Sequence, residues 1–196
     1  MIDTLNQIGY CVKYKVLNAK DCGNIPQNRE RIYIVGFLDK TVCDNFEFPE
    51  EIPLTARLSD VIDFDKKVDD KYYYTAGKYI YSYKNQKNDI YEELLRDMTD
   101  ANAVYQWRRH YVRKNKAGVV PTLTANMGTG GHNVPLVKTP YGFRKLTPRE
   151  CFNVQGFPRN FKLPDDIAES KLYKQAGNSV CVSVIKRIAD SIAAVV

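Results

Sequence analysis

Apolar and polar side chains alternate along YCVKYKVLNA, residues 10–19, and this period of two predicts a strand. Just before it Leu5 and Ile8 stand at helical spacing and Gly9 follows, the pattern of the last turns of a helix. The loop AKDCGNIPQN then carries Gly23, Asn24 and Pro26, and the β-rich run RIYIVGF predicts a buried strand. Helix, strand, loop and strand in this order predict the edge of a larger α/β sheet.

Further along the periodicity weakens. FPEEIPLTARLSDVIDF contains two prolines and a short helical candidate at residues 58–62, and KYYYTAGKYIYSY gathers six of the fourteen tyrosines in an alternation that reads as a half-buried strand surface. A helix is expected over residues 89–98 and strands over 105–112 and 119–124, with the glycine loop ANMGTGGHN after them. RKLTPRECFNVQGFP predicts a short helix begun at Thr147 and Pro148 and closed by Gly156. A last helix is expected over residues 179–196, with Asn178 and Ser179 as N-cap residues.

Composition narrows the class. A chain of 196 residues, 44% hydrophobic, can bury one real core or two small ones, which argues against disorder over the whole length. No apolar run is long enough to cross a bilayer, and MIDTLNQIGY lacks the basic start and apolar stretch of a secretory signal, so a soluble, cytoplasmic protein is expected. The five cysteines (Cys11, Cys22, Cys43, Cys151, Cys181) show no CxxC and no metal-ligand spacing, and only His110 and His132 could join them. No metal site is expected, and all five read as reduced structural thiols. Cys151 and Cys181 have apolar neighbours and behave as small hydrophobes rather than nucleophiles.

Charge changes the picture more. Residues 101–149 hold nine basic side chains (Arg108, Arg109, Arg113, Lys114, Lys116, Lys138, Arg144, Lys145, Arg149) and no Asp or Glu, whereas the remaining 20 basic and 23 acidic residues outside that window sum to −3. The net charge of +6 is therefore concentrated in one quarter of the chain, as a polyanion-binding surface requires. GTGGH within this window lacks the Lys-Ser/Thr of a P-loop, and its glycines suit a loop backbone, Gly128 included, that approaches a nucleic-acid groove. Gln27, Arg29 and Arg31 fall on one face of an extended chain, where their donors call for a flat anion or a partner rich in acceptors.

Three blocks then match one family in order. IPQNRERIYIVGF resembles the eighth motif of the DNA (cytosine-5) methyltransferases, RKLTPRECFNVQGFP the ninth and YKQAGNSVCVSV the tenth. The resemblance implies an α/β fold: the edge portion of a Rossmann-like methyltransferase sheet, a small, mostly β target recognition domain and a C-terminal helix. It implies a catalytic part over residues 1–40, a recognition domain including the ninth motif over 41–160, and the tenth motif with the returning terminal helix over 161–196. It also implies bacterial or phage restriction–modification chemistry on double-stranded DNA, with S-adenosyl-L-methionine as methyl donor and the cytosine flipped out of the stack.

The resemblance carries roles residue by residue. Gln27, Arg29 and Arg31 would support the flipped cytosine, its phosphates or the catalytic loop, and Asn178 and Ser179 would border the methionine end of a partial cofactor site. Arg108, Arg109 and Arg113 would meet guanine edges, Asn126 and Asn133 adenine or phosphate, and Thr122 a backbone phosphate. Arg144, Arg149 and Glu150 would organise the recognition domain through internal ion pairs. The family's Phe-x-Gly-x-Gly loop, Pro-Cys nucleophile and Glu-Asn-Val block have no counterpart in these 196 residues. The chain is therefore expected to be inactive alone and to work with an amino-terminal methyltransferase half on another chain. The alternatives are a catalytically inactive DNA-binding module and an RNA-binding protein with tyrosine platforms.

Overall fold

The computed structural model of the chain describes residues 2–108, 110–115, 117–127 and 134–196. The amino-terminal unit runs α1 (Ile2–Gln7), β1 (Cys11–Asn18), α2 (Ala19–Cys22), β2 (Gln27–Asn28), β3 (Glu30–Phe37) and α3 (Lys40–Asn45). Two hairpins flank one helix in the middle: β4 (Ile80–Tyr83) and β5 (Gln86–Asp89), α4 (Ile90–Asp97), then β6 (Val104–Arg108) and β7 (Tyr111–Lys114). β8 (Val120–Pro121), β9 (Leu136–Thr139), β10 (Gly142–Lys145), α5 (Pro148–Val154), α6 (Glu169–Asn178) and α7 (Val182–Ala193) complete the order.

β1 and β3 pair antiparallel, with Leu17 opposite Arg31 and Lys13 opposite Val35. One face of the pair closes on α7: Leu17, Cys22 and Phe46 share a core with Val184 and Ile188, which stand one helical turn apart. The other face is uncovered. Tyr14, Val16 and Ile32 are 58%, 59% and 55% exposed, although each is apolar and cross-strand from another apolar residue. RIYIVGF is thus a strand that lies half exposed here rather than buried, because nothing in these residues packs on its second face.

A four-stranded sheet in the order β10-β9-β6-β7 forms the middle of the molecule. Tyr105, Trp107, Leu136 and Phe143 pack from one face against Leu94 of α4 and its C-cap Met98, and Val104 and Val137 join α5 and α6 on the other. Asp89 caps α4 by accepting from Tyr91 N at 3.0 Å. In α5, Thr147 and Glu150 form a reciprocal capping box with Pro148 inside the first turn, and Gly156 takes φ +80° just beyond its end.

Several sequence readings are corrected. The expected single strand over 105–112 is a hairpin, since Arg108 pairs with Tyr111; the turn lacks the Gly, Asn or Pro that marks one in sequence. Asn178 and Ser179 end a helix instead of starting one: Leu172, Tyr173 and Ala176 bury one face of α6, Ser179 is its C-cap, and α7 begins after Cys181. Cys11 and Cys43 form a disulfide with Cα atoms 6.0 Å apart, tying α3 to β1, so only Cys22, Cys151 and Cys181 are free thiols. Spacing could not show this pairing, because the α3 turn that folds Cys43 back over β1 is tertiary. Among the described residues no helix is long and apolar enough to cross a membrane, and no cluster of three ligating side chains could hold a metal.

Candidate nucleic-acid interface

Strand alternation sorts the β6–β7 hairpin into two faces. Gln106 pairs with Arg113 and Arg108 with Tyr111, so these four point to one side, while Tyr105, Trp107 and Val112 point to the other. The second set is anchored: Trp107 Nε1 donates to Glu93 Oε2 at 3.0 Å, and Tyr81 Oη donates to the same carboxylate. Gln106, Arg108 and Arg113 of the first set face a cleft of about 300 Å³, whose far wall is Asn28 of β2 with Thr122 and Thr124.

That far wall is built by a crossing. β2 and β8 pair in parallel over Gln27–Val120 and Asn28–Pro121, and Thr122 Oγ1 donates to Asn28 O at 2.6 Å. None of the residues lining the cleft is acidic. Two guanidinium groups line it beside neutral amides and hydroxyls, and Arg108 Nη2 donates to Gln106 Oε1 at 3.0 Å. Such a lining favours an anion or an edge rich in acceptors. Asn126 is exposed beside it and its Oδ1 accepts from Thr124 Oγ1 at 2.6 Å. Arg109, Lys116, Gly128, His132 and Asn133, all singled out from sequence, lie outside the described residues. Sequence reasoning missed Gln106, Asn28, Asn115 and Thr124; Gln106 was findable, since it stands two residues before Arg108 on the same strand face.

Gln27, Arg29 and Arg31 have separate fates. Gln27 is fully buried, donating from Nε2 to Val154 O at 2.7 Å. Arg29 is also buried, and its guanidinium donates to Leu123 O at 2.8 Å, Gly177 O at 3.1 Å and Ser179 O at 2.7 Å. Burial, and next the nearby Arg31, pulls its pKa below the ordinary arginine value. The acceptor-rich partner is thus a cage of backbone carbonyls. Arg31 is exposed, and its Nη1 donates to Glu30 O at 2.6 Å.

Asn178 and Ser179 border a second hollow of about 520 Å³ with Lys171, Lys174 and Gln175. The Asn178 carboxamide is exposed, whereas Ser179 Oγ donates inward to Ala176 O at 2.8 Å. Gly177, next to Asn178 of this hollow, packs against Thr124 of the cleft wall. A Cβ there would overlap the Thr124 carbonyl and lie 2.7 Å from Ala125 N. Gly177→Ala is expected to cost about 1–3 kcal/mol, because rigid backbone must give way; the urea midpoint reads it, and an unchanged midpoint would show that the segment at Thr124 yields freely.

Arg144 and Glu150, 0% and 2% exposed in their side chains, form a two-pronged buried pair at 2.7 and 2.8 Å. Of the free thiols, burial pushes Cys151 well above and Cys22 above the ordinary thiol value, which disfavours the nucleophilic thiolate.

Comparison with known proteins agrees on one family. A sequence model described as C-5 cytosine-specific DNA methylase matches residues 1–194. The type II methyltransferase M.Bsp6I of Bacillus sp. (strain RFL6) is 58% identical over 190 residues, covering 97% of this chain and 57% of that protein. M.HaeII of Haemophilus aegyptius, another type II methyltransferase, is 36% identical over 96% of this chain and 52% of its own length. The chain thus spans about half the length of the curated relatives it matches. Among solved structures, the Entamoeba histolytica methyltransferase EhMeth superposes with a TM-score of 0.61 at 20% identity, covering 97% of this chain and 56% of that one. S. pombe Dnmt2 methyltransferase also gives 0.61, at 16% identity, over 97% and 59%. Both share the α/β fold seen here.

Proposed function

The chain belongs to the C-5 cytosine-specific DNA methylase family, and from that premise we propose that it is the DNA-recognising part of a type II DNA (cytosine-5) methyltransferase. The observation that carries this is the cleft in which Arg108 and Arg113 face Asn28 and Thr122 with no carboxylate among the lining residues. A duplex offers both chemistries such a lining satisfies: phosphates for the exposed guanidinium groups and groove edges for the amides.

In this reading residues 41–160 supply recognition, and residues 1–40 with α7 belong to the catalytic body. The shared core of Leu17, Cys22, Val184 and Ile188 supports the pairing of residues 1–40 with α7, and Phe46 in the same core carries that body past residue 40. The bare face of Tyr14, Val16 and Ile32 is where the remaining methyltransferase sheet packs, bringing the nucleophile. S-adenosyl-L-methionine, when bound, supplies the methyl group. Of the residues here, Asn178 and the rim lysines fit its amino-acid end, since an exposed carboxamide offers a donor and an acceptor and the ammonium groups suit a carboxylate. Among the described residues no aromatic side chain lines this hollow to stack on an adenine, so the fit is to one end of the molecule only.

The test is transfer of tritiated methyl groups to cytosine C5 in duplex DNA, with this chain alone and with the amino-terminal half of M.Bsp6I added. Transfer on mixing is expected. Salt-sensitive DNA binding without transfer in the mixture would instead favour a recognition module that has lost catalysis. Two further outcomes follow from the geometry. Arg113→Ala should weaken binding to every duplex and lower the slope of log K against log salt by about one, the signature of a lost phosphate contact, in filter-binding titrations. The chain by itself should self-associate through its bare sheet face: sedimentation is expected to show concentration-dependent species that Ile32→Lys abolishes, and a clean monomer before substitution would refute this.

A further inference from the structure

Within the cleft, Gln106 is only 7% exposed although it projects from the same face as the two arginines. It sits beside Arg108 along the strand and opposite Arg113 across the hairpin. Its Oε1 accepts from Arg108 Nη2 at 3.0 Å, and no side chain among the described residues holds Arg113 in that way. The residue type matters. A glutamate here would hold the guanidinium but cancel a charge that draws a polyanion, and a leucine would leave the fork free to rotate. A neutral amide acceptor tethers one end of the guanidinium, narrows its rotation and keeps its charge. A guanidinium restrained before binding is suited to a two-point contact, and in the major groove that contact is the O6 and N7 edge of guanine.

We propose that Gln106 is a positioning residue that presents Arg108 to one guanine of the recognised sequence, while Arg113 serves the phosphates. The proposal rests on the DNA-recognition reading and deepens it: it names the base and the residue that decides its selection.

Selection from a duplex pool with randomised positions, bound by the full chain, tests it. The parent protein should prefer guanine at one position by about 5- to 150-fold, the range that a two-point contact supplies. Arg108→Lys and Gln106→Leu should both lose that preference at the same position and leave the other positions as they were. Gln106→Glu, which keeps the acceptor, should retain the preference with weaker overall binding. If the leucine variant does not fold by its melting curve, Gln106→Asn, too short to reach Arg108, takes its place with the same expectation. Retention of the preference in Gln106→Leu, an equal loss of affinity for all sequences, or its absence in Gln106→Glu would each overturn the proposal. A parent chain with no base preference, or no DNA binding, would instead overturn the recognition reading beneath it.

Discussion

Glu150→Ala is expected to lower the stability of the chain by about 3–5 kcal/mol, because it leaves the Arg144 guanidinium buried without its counter-charge. The two residues bond through both carboxylate oxygens, and Arg144 also donates to Asp63 O at 2.9 Å while Glu150 accepts from Asp63 N at 3.0 Å and Thr147 N at 2.8 Å. The pair therefore ties β10, the start of α5 and the loop at Asp63 into one unit. A loss of that size is a large part of the 5–15 kcal/mol that holds a typical domain, so the variant should unfold at a much lower urea concentration. The control is the double replacement Arg144→Met with Glu150→Leu. Removing both charges together should recover most of the loss, since desolvation opposes the attraction between a buried pair. If the single and double variants are equally unstable, the effect comes from the lost capping box and not from the orphaned charge.

This ion pair was legible in the sequence as a role but not as a geometry. Thr147, Pro148 and Glu150 announce a capped helix by their spacing alone, and α5 follows as expected. That Arg144 would be the partner depends on β9 and β10, short strands that carry too few alternations to stand out. The same limit hid α6: its buried stripe is Leu172, Tyr173, Ala176 and Gly177, with a small residue and a glycine where a pattern search looks for large apolar side chains. The Asn-Ser pair at its end then reads in sequence as the start of the next helix. Local signals with a single cause, such as the period-two run in β1 or the helix expected over residues 89–98, match β1 and α4. Features made by two distant segments were not, whether the β2–β8 crossing that builds the cleft wall or the bond between Cys11 and Cys43.

The cleft shows the same division. Arg108 and Arg113 stand out by charge in a window without acids, and both line it; Asn28 and Thr124 carry no charge and reach it only because residues nearly a hundred positions apart cross there. The motif Gln-x-Arg-x-Arg misled in one respect. Period two places the three side chains on one face, but Gln27 and Arg29 turn into the protein and Arg31 remains outside, since β2 and β3 are separate strands.

Arg29→Met should show what that inward turn is for. The guanidinium reaches the carbonyls of Leu123, Gly177 and Ser179, which belong to two segments that also pack closely at Gly177 and Thr124. One of them carries Thr122 and Thr124 on the cleft wall, and the other carries Asn178 at the second hollow. Losing charge-assisted bonds and leaving buried acceptors bare is expected to cost about 3–5 kcal/mol in urea unfolding. Arg29→Lys keeps the charge, but a single ammonium cannot span carbonyls so arranged, and about half of the loss should remain. Hydrogen exchange separates this clasp from a direct contact with nucleotide. In Arg29→Lys, amides at residues 122–125 and 177–181 should exchange faster together, with DNA absent, while the β6–β7 hairpin keeps its rates. If exchange is unaltered and only DNA affinity falls, Arg29 meets the nucleotide itself and the carbonyl cage is incidental. If both segments loosen at once, the arginine at the centre of the motif acts on DNA through the backbone, by holding the cleft wall and the hollow in register.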